Sequence, residues 1–394
     1  MKLIPLLAII TSVLASFSNN EMNAAEEPQQ FRVWATSCAH VPADRHHGRA
    51  SLAKAIRQSE GLIEGAPGFD WDIMIDAGDL SSHQTPPTDA DGRELIRQYS
   101  AMTKHRREQV YNVQGNHDAT YYDHGPGAWF QKWGDPLGEN TATSGVDAQR
   151  RPFPVEGTWE RYKFEAGNIL FLMLSDRNDA PSPVGRGHSR EKHVGGFPAG
   201  AVTRGTFEWW KRQVLNNQDK IIITMAHHAL RDTTIASGRG EGTPRYHGTS
   251  GDSEGSSYLY YIIENDDPEN FQYTKDAHVF EDFLAAFRKK HSHGAIDLWI
   301  AGHTHVKNPD DMWGGKSISE RRWGVGFLQV AALTKHHAGA NPVSRLLTFT
   351  HGGNEVEIDL YLHEATYKDN PVGWYAPASV TYPLRHAFVA PPGD

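Results

Sequence analysis

The chain has 394 residues, enough for one large core or two medium domains, and its 38% hydrophobic and 22% charged residues suit a soluble globular protein. Its formal charge of −9 disfavours sequence-independent nucleic-acid binding, which relies on basic surface, so no nucleic-acid scaffold is expected as a partner. A small anionic substrate stays open, because a bound cation inverts the local field.

The N-terminus reads as an export signal over residues 1–25. Lys2 supplies the positive start, and the apolar run from Leu3 to Phe17 is short for a membrane span. Val13-Leu14-Ala15 and Asn23-Ala24-Ala25 are both candidate cleavage sites, and an uncut membrane anchor is the other reading. Cleavage would remove Lys2 and Glu21 together, leave the charge at −9, and give a secreted or periplasmic protein with no membrane span. Residues 26–365 are expected to form one domain, and the proline-containing stretch 366–394 a tail packed on it.

Within that domain, apolar β-rich runs fall at 31–36, 72–76 and 109–113, then at 159–164 and 168–174 as a hairpin, then at 220–225 and 297–301. Three more, at 326–332, 345–350 and 355–362, give a β-rich end. Helical spacing of apolar residues marks 49–60, 93–107, 206–216 and 277–290. This alternation predicts a layered α/β architecture, with functional groups just beyond the carboxyl ends of strands. Two long polar stretches, 176–205 and 229–275, interrupt it. The first carries Arg177, Arg186, His188, Arg190, Lys192 and His193, readable as an anion-binding rim or as a solvated face.

Metal-binding residue types follow the strands. They come as Ser37-Cys38-Ala39-His40, Ala77-Gly78-Asp79, Gly115-Asn116-His117-Asp118, Ala226-His227-His228 and Gly302-His303-Thr304-His305. On an extended segment, residues i and i+2 point the same way, so Cys-x-His and His-x-His each aim two ligands into one pocket. The adjacent glycines let the backbone turn sharply there. Each string alone is weak; together, each closing a predicted strand, they are specific.

In this order (GD, GNHD, a strand-ending His, then GHTH) the strings resemble the calcineurin-like metallophosphoesterase superfamily over roughly residues 31–310. The resemblance implies a sandwich of two mixed β-sheets flanked by helices, with two divalent or trivalent metal ions (iron, zinc or manganese) at the sheet edge. Asp79 would bridge both ions. His40, His305 and the motif-one residue Cys38 would complete the first site, and Asn116, His227 and His303 the second. His117 would contact the phosphate of a small-molecule phosphoester and protonate the leaving group, oriented by Asp118. Asn116 would also lie against substrate. His228 reads as a neighbour of the ligand His227; that choice follows the family's H-[HY]-P pattern, in which this chain has Ala229 for Pro. Arg45, with His46 and His47, follows motif one closely enough to touch substrate, or lies on a solvated loop.

The departure is Cys38, where the family has Asp. It is a thiolate ligand favouring zinc or iron, a packing residue beside a weakened first site, or the mark of a non-catalytic relative. Hydrolysis of phosphate mono- or diesters by a metal-bridging hydroxide is the implied activity. A same-fold hydrolase of another ester or nucleotide, and a non-catalytic metal-binding relative, are the alternatives.

Overall fold

The structure, a computed structural model, describes residues 28–82, 85–191, 199–241, 257–335 and 340–392. The expected leader, Lys192 and His193 lie outside these residues. Among the described residues no helix is long and apolar enough to cross a membrane.

The chain opens with β1 (Gln30–Thr36), α1 (Val41–His46), α2 (Ser51–Ser59), β2 (Ile73–Asp76), α3 (Asp89–Tyr99) and β3 (Val110–Asn112). Then come α4 (Ala128–Trp133), α5 (Thr141–Ser144), β4 (Glu156–Thr158), β5 (Arg161–Ala166) and β6 (Ile169–Leu174). The middle holds β7 (Gly200–Thr203), α6 (Arg204–Asn216), β8 (Ile221–Ala226), β9 (Leu259–Asn265), β10 (Gln272–Lys275) and α7 (Val279–Lys290). The chain ends with β11 (Leu298–Ala301), β12 (Ser319–Arg322), β13 (Val325–Gln329), β14 (Val343–Thr350), β15 (Glu355–Leu362), β16 (Gly373–Trp374) and β17 (Val380–Pro383).

Two mixed sheets of seven strands form a sandwich flanked by helices, as the motifs implied. One has the order β16-β15-β14-β1-β2-β3 with β17 also on β15; the other runs β12-β13-β11-β8-β6-β5-β4. The period of two sorts the side chains. On β1, Val33 and Ala35 face the opposite sheet, where they meet the inward residues of β2, β6, β8 and β11, while Trp34 points outward. The outer face of the first sheet packs on Leu52 and Ile56 of α2, Leu95 of α3 and Phe130 of α4. That of the second packs on Phe207 and Trp210 of α6 and on Phe280 and Leu284 of α7. Covered on both faces, β6 and β8 are buried along their whole length, which accounts for their unbroken apolar runs.

Three expectations change. The helix expected at 93–107 starts earlier, because the Asp91 carboxylate accepts the Thr88 N–H at 2.8 Å and caps a first turn at Asp89. It also stops at Tyr99. A third sheet, β10-β9-β7, forms within the stretches expected as loops. The closing segment does more than lie on the domain: β16 and β17 pair with β15, and Phe388 is fully buried in the inter-sheet core.

Candidate metal centre

The parallel strands of both sheets end at one place. β1, β2 and β3 release Ser37-Cys38, Gly78-Asp79 and Gly115-Asn116; β8 and β11, parallel neighbours in the other sheet, release His227 and Gly302-His303. The seam is tight. His227 Nδ1 donates to the carbonyl of Ala77 across the two sheets. A Cβ on Gly302 would come within 2.7 Å of Ser37 Cβ, so only glycine lets β11 end there.

The turns that present the ligands are locally strained. Cys38, His40, Asp79 and His303 all have positive φ, at 51°, 42°, 58° and 63°, a region that side-chain-bearing residues avoid unless the surroundings enforce it. Here hydrogen bonds enforce it. The Cys38 N–H donates to Gly78 O at 2.8 Å, and the His40 N–H to Asp79 O at 3.0 Å. Asp118 holds the other side: its carboxylate accepts the N–H groups of Asp79 (2.9 Å), Gly115 (2.9 Å) and Ser81 (2.7 Å).

The Asp118 carboxylate thus bonds to three backbone amides and clamps the two loops together, next to His117 in the chain. Burial, with the nearby charge of Asp79, pushes its carboxyl up to about 7.

Cys38, His40, Asp79, Asn116, His227, His303 and His305 all converge, and all are buried. The donor atoms of Cys38, His40 and His305 lie within 4.8 Å of one another, as do those of Cys38, Asp79 and His227 and those of His227, His228 and His303. His40 Nδ1 is turned to the carbonyl of Ser81 at 2.8 Å and so carries the hydrogen, leaving the Nε2 lone pair facing His305 Nε2 at 3.0 Å. His227 Nδ1 is likewise committed to Ala77, so its Nε2 lone pair meets Asp79 Oδ2 (3.1 Å), Asn116 Oδ1 (3.0 Å) and His303 Nδ1 (3.3 Å).

Lone pairs gathered this closely in a buried space repel unless a cation sits among them. A proton answers part of the need: burial opposes charging His227, but Asp79 prevails and lifts the imidazole to about 9. Burial also opposes the charged form of Asp79, yet His227, His117 and His40 hold its carboxyl well below the usual range. Metal ions answer it fully, and the imidazole, carboxylate, amide and thiol donors present fit two of them sharing Asp79. For Cys38, burial and then Asp79 push the thiol well up, against weaker help from Ser37 and the His303 backbone amide. A metal cation beside the sulfur would reverse that balance.

His117 stands at the edge of the cluster, its ring perpendicular to His40 at 5.1 Å and its N–H on Asp79 Oδ1 at 2.8 Å. Arg45, His46 and His47 are not brought in. α1 leads away from the cluster with Val41–Asp44 buried, and these three residues turn to solvent. The basic stretch after β6 divides. Arg177 is buried in ion pairs with Asp179 (3.0 Å), Glu160 (3.5 Å) and Asp266 (2.7 Å), which is neither rim nor solvated face. Arg186 is buried and donates to the His117 carbonyl at 3.2 Å.

Sequence reasoning missed Asp176. It follows β6, the parallel neighbour of β8 in the second sheet, and meets His228 Nδ1 at 2.5 Å. Its signal was available, because Leu174-Ser175-Asp176 repeats the pattern of an apolar strand closing on a carboxylate.

The model of the calcineurin-like phosphoesterase family matches residues 31–307. No curated protein matches the chain. Among solved structures, it is similar to GAP50, the anchor in the inner membrane complex of Plasmodium, with 10% identity, a TM-score of 0.42 and coverage of 91% of this chain and 90% of that one. It is also similar to Vps29 of Chaetomium thermophilum (10% identity, TM-score 0.33, 90% and 99% covered) and to a single mutant of Vps29 from Entamoeba histolytica (12%, 0.30, 89% and 99%).

Proposed function

Because the chain belongs to the calcineurin-like phosphoesterase family, we propose that it hydrolyses phosphate mono- or diesters at the centre built around Asp79. The observation that carries this reading is the convergence of buried lone pairs on either side of one carboxylate: Asp79 Oδ2 lies 3.1 Å from His227 Nε2 and 3.8 Å from His40 Nε2.

Cys38, His40 and His305 would hold one ion, and Asn116, His227 and His303 the other, with Asp79 shared. When bound, two such ions supply Lewis acidity, making a water nucleophilic near neutral pH and offsetting charge on the phosphoryl oxygens. The chain's own groups do the rest. The carbonyls of Ser81 and Ala77 fix the His40 and His227 tautomers so that Nε2 faces inward. Asp118 holds the loops of Asp79 and His117 in register. His117, not committed to the ligand triads, is placed to give its proton to the departing oxygen. The buried walls exclude bulk water, which strengthens each charge interaction within.

In this reading Cys38 is the thiolate ligand, which favours zinc or iron over magnesium or calcium. Residues 1–25 would direct export, giving a secreted or periplasmic enzyme.

The purified, metal-replete protein should hold two metal equivalents and hydrolyse an aryl phosphate. Inactivity across a broad panel of mono- and diesters would overturn the reading. Elemental analysis beside Cys38→Asp tests the thiolate: loss or exchange of one equivalent supports it, and identical content and identity assign Cys38 to packing.

A further inference from the structure

Beside the second ligand group lies a pair to which the ligand assignment gives no part, although a ring nitrogen of His228 lies within 4.8 Å of donor atoms of His227 and His303. Asp176 and His228 are both fully buried, with Oδ2 and Nδ1 2.5 Å apart. Removing a carboxylate and an imidazole from water is costly, and packing alone would be served by apolar residues.

The contacts of the pair lead to the metal centre. The His228 ring lies over the ring of His303, centroids 3.9 Å apart and planes 35° apart. It also abuts the backbone of β7, where a Cβ on Gly200 would come within 2.6 Å of His228 Cγ. The imidazole thus touches both a glycine backbone and the ring of His303. Asp176 is itself tied to the loop that carries Asn116: its N–H donates to Gln114 O at 3.0 Å, and its carbonyl accepts from Gln114 Nε2 at 2.9 Å. The pair therefore joins the elements that supply His303 and Asn116.

We propose that Asp176 and His228 form a positioning pair that fixes the His303 ring and sets the metal affinity of the site made by Asn116, His227 and His303. The proposal rests on the reading of this centre as dinuclear. Asp176 orients His228 through its Nδ1 hydrogen bond, and His228 orients His303 by ring contact. The buried carboxylate also adds negative charge close to the second ion. Partners of this kind behind metal ligands change affinity by about 10–100-fold when removed.

The test is titration of the metal-free full-length protein with cobalt(II), following d–d absorption and heat, for wild type, Asp176→Asn, His228→Phe and Gly200→Ala. Wild type should take two equivalents; if it takes none, the dinuclear reading fails before this proposal is reached. With two bound, Asp176→Asn should weaken one equivalent on the order of 10–100-fold and change its spectrum, leaving the other as in wild type. His228→Phe keeps a ring on His303 and should lose less. Gly200→Ala, which alters no polar group, should shift the same equivalent by displacing the His228 ring. Unchanged affinities in folded variants, or equal weakening of both equivalents with a lower Tm of the metal-free protein, would overturn the proposal. Should Asp176→Asn not fold, the Gly200→Ala titration decides by the same criteria.

Discussion

Glu60 collects the end of one helix and the start of the next connection in a single carboxylate. It accepts from the Thr103 N–H and hydroxyl at 2.8 and 2.6 Å, from the Lys104 and His105 N–H groups at 3.1 Å, and contacts His105 Nδ1 at 3.0 Å. Burial pushes the carboxyl up, but these donors outweigh it and bring the group down to about 2 from its usual 4.5. A lowered carboxyl stabilises the fold fully above its unfolded value and loses that contribution as pH falls from about 4.5 towards 2. Glu60→Gln should cost about 1–3 kcal/mol at neutral pH in urea unfolding. The difference from wild type should shrink through that acid window. His117 sets a second test at this scale. His117→Ala should lower kcat by about 10²–10⁴-fold for an alkyl phosphate, and far less for a nitrophenyl phosphate whose oxygen leaves without a proton. Equal losses on both substrates would assign His117 to binding.

At the level of elements, the centre depends on how closely two sheets end against each other. Gly302 lies against Ser37, so Gly302→Ala must separate the ends of β11 and β1. Overpacking of this kind costs about 1–3 kcal/mol. The variant should retain native circular dichroism yet bind metal more weakly at both sites, because Cys38 and His303 flank the point of contact; full metal retention would show that the seam tolerates a methyl group. The positive φ angles of Cys38, His40, Asp79 and His303 belong to the same design. The strand-closing strings and their glycines made these turns legible in the sequence. The residues that are not glycine but share the conformation were not legible, because what holds them there is hydrogen bonding between loops distant in the chain. β7 and β9 were missed as well. β9 pairs with β7 in parallel and with β10 antiparallel; β7 is only four residues long, whereas Leu259-Tyr260-Tyr261-Ile262-Ile263 of β9 is an apolar run that was readable as a strand despite its polar flanks.

For the whole molecule, the candidate ligands come from both sheets, with Cys38, His40, Asp79 and Asn116 following strands of one and His227, His303 and His305 following strands of the other. Metal ions would then cross-link the sandwich as well as run its chemistry. Chelation should lower Tm, and restoring the metal should raise it in a concentration-dependent way, since a ligand that binds only the native state stabilises it by mass action. The far end of the sandwich depends on the closing segment. Phe388 packs between Phe31 and Phe349, with ring centroids at 6.2 and 5.5 Å, and the Asp297 carboxylate accepts from Arg385 N (2.7 Å) and Nε (3.0 Å). Phe388→Ala should cost about 3–5 kcal/mol in denaturant unfolding with metal content unchanged. A smaller cost would show that the segment only covers the core.

Read alone, the sequence carries the alternation of strands and helices and the metal-binding residue types that close the strands; the sandwich class and the choice of seven converging residues were implied by the resemblance of those motifs to the family. Side-chain period and the residue types that close each strand are local properties, readable from neighbours in the chain. The tertiary structure alone decided the clamp of Asp118 on three backbone amides, the seating of His228 against Gly200 and His303, and the reach of Asp176 to His228. It also turned Arg45 to solvent, buried Arg177 in ion pairs and threaded the closing segment into the core. Each of these depends on which distant segments meet, and that is fixed by the packing of two sheets across a shared interior.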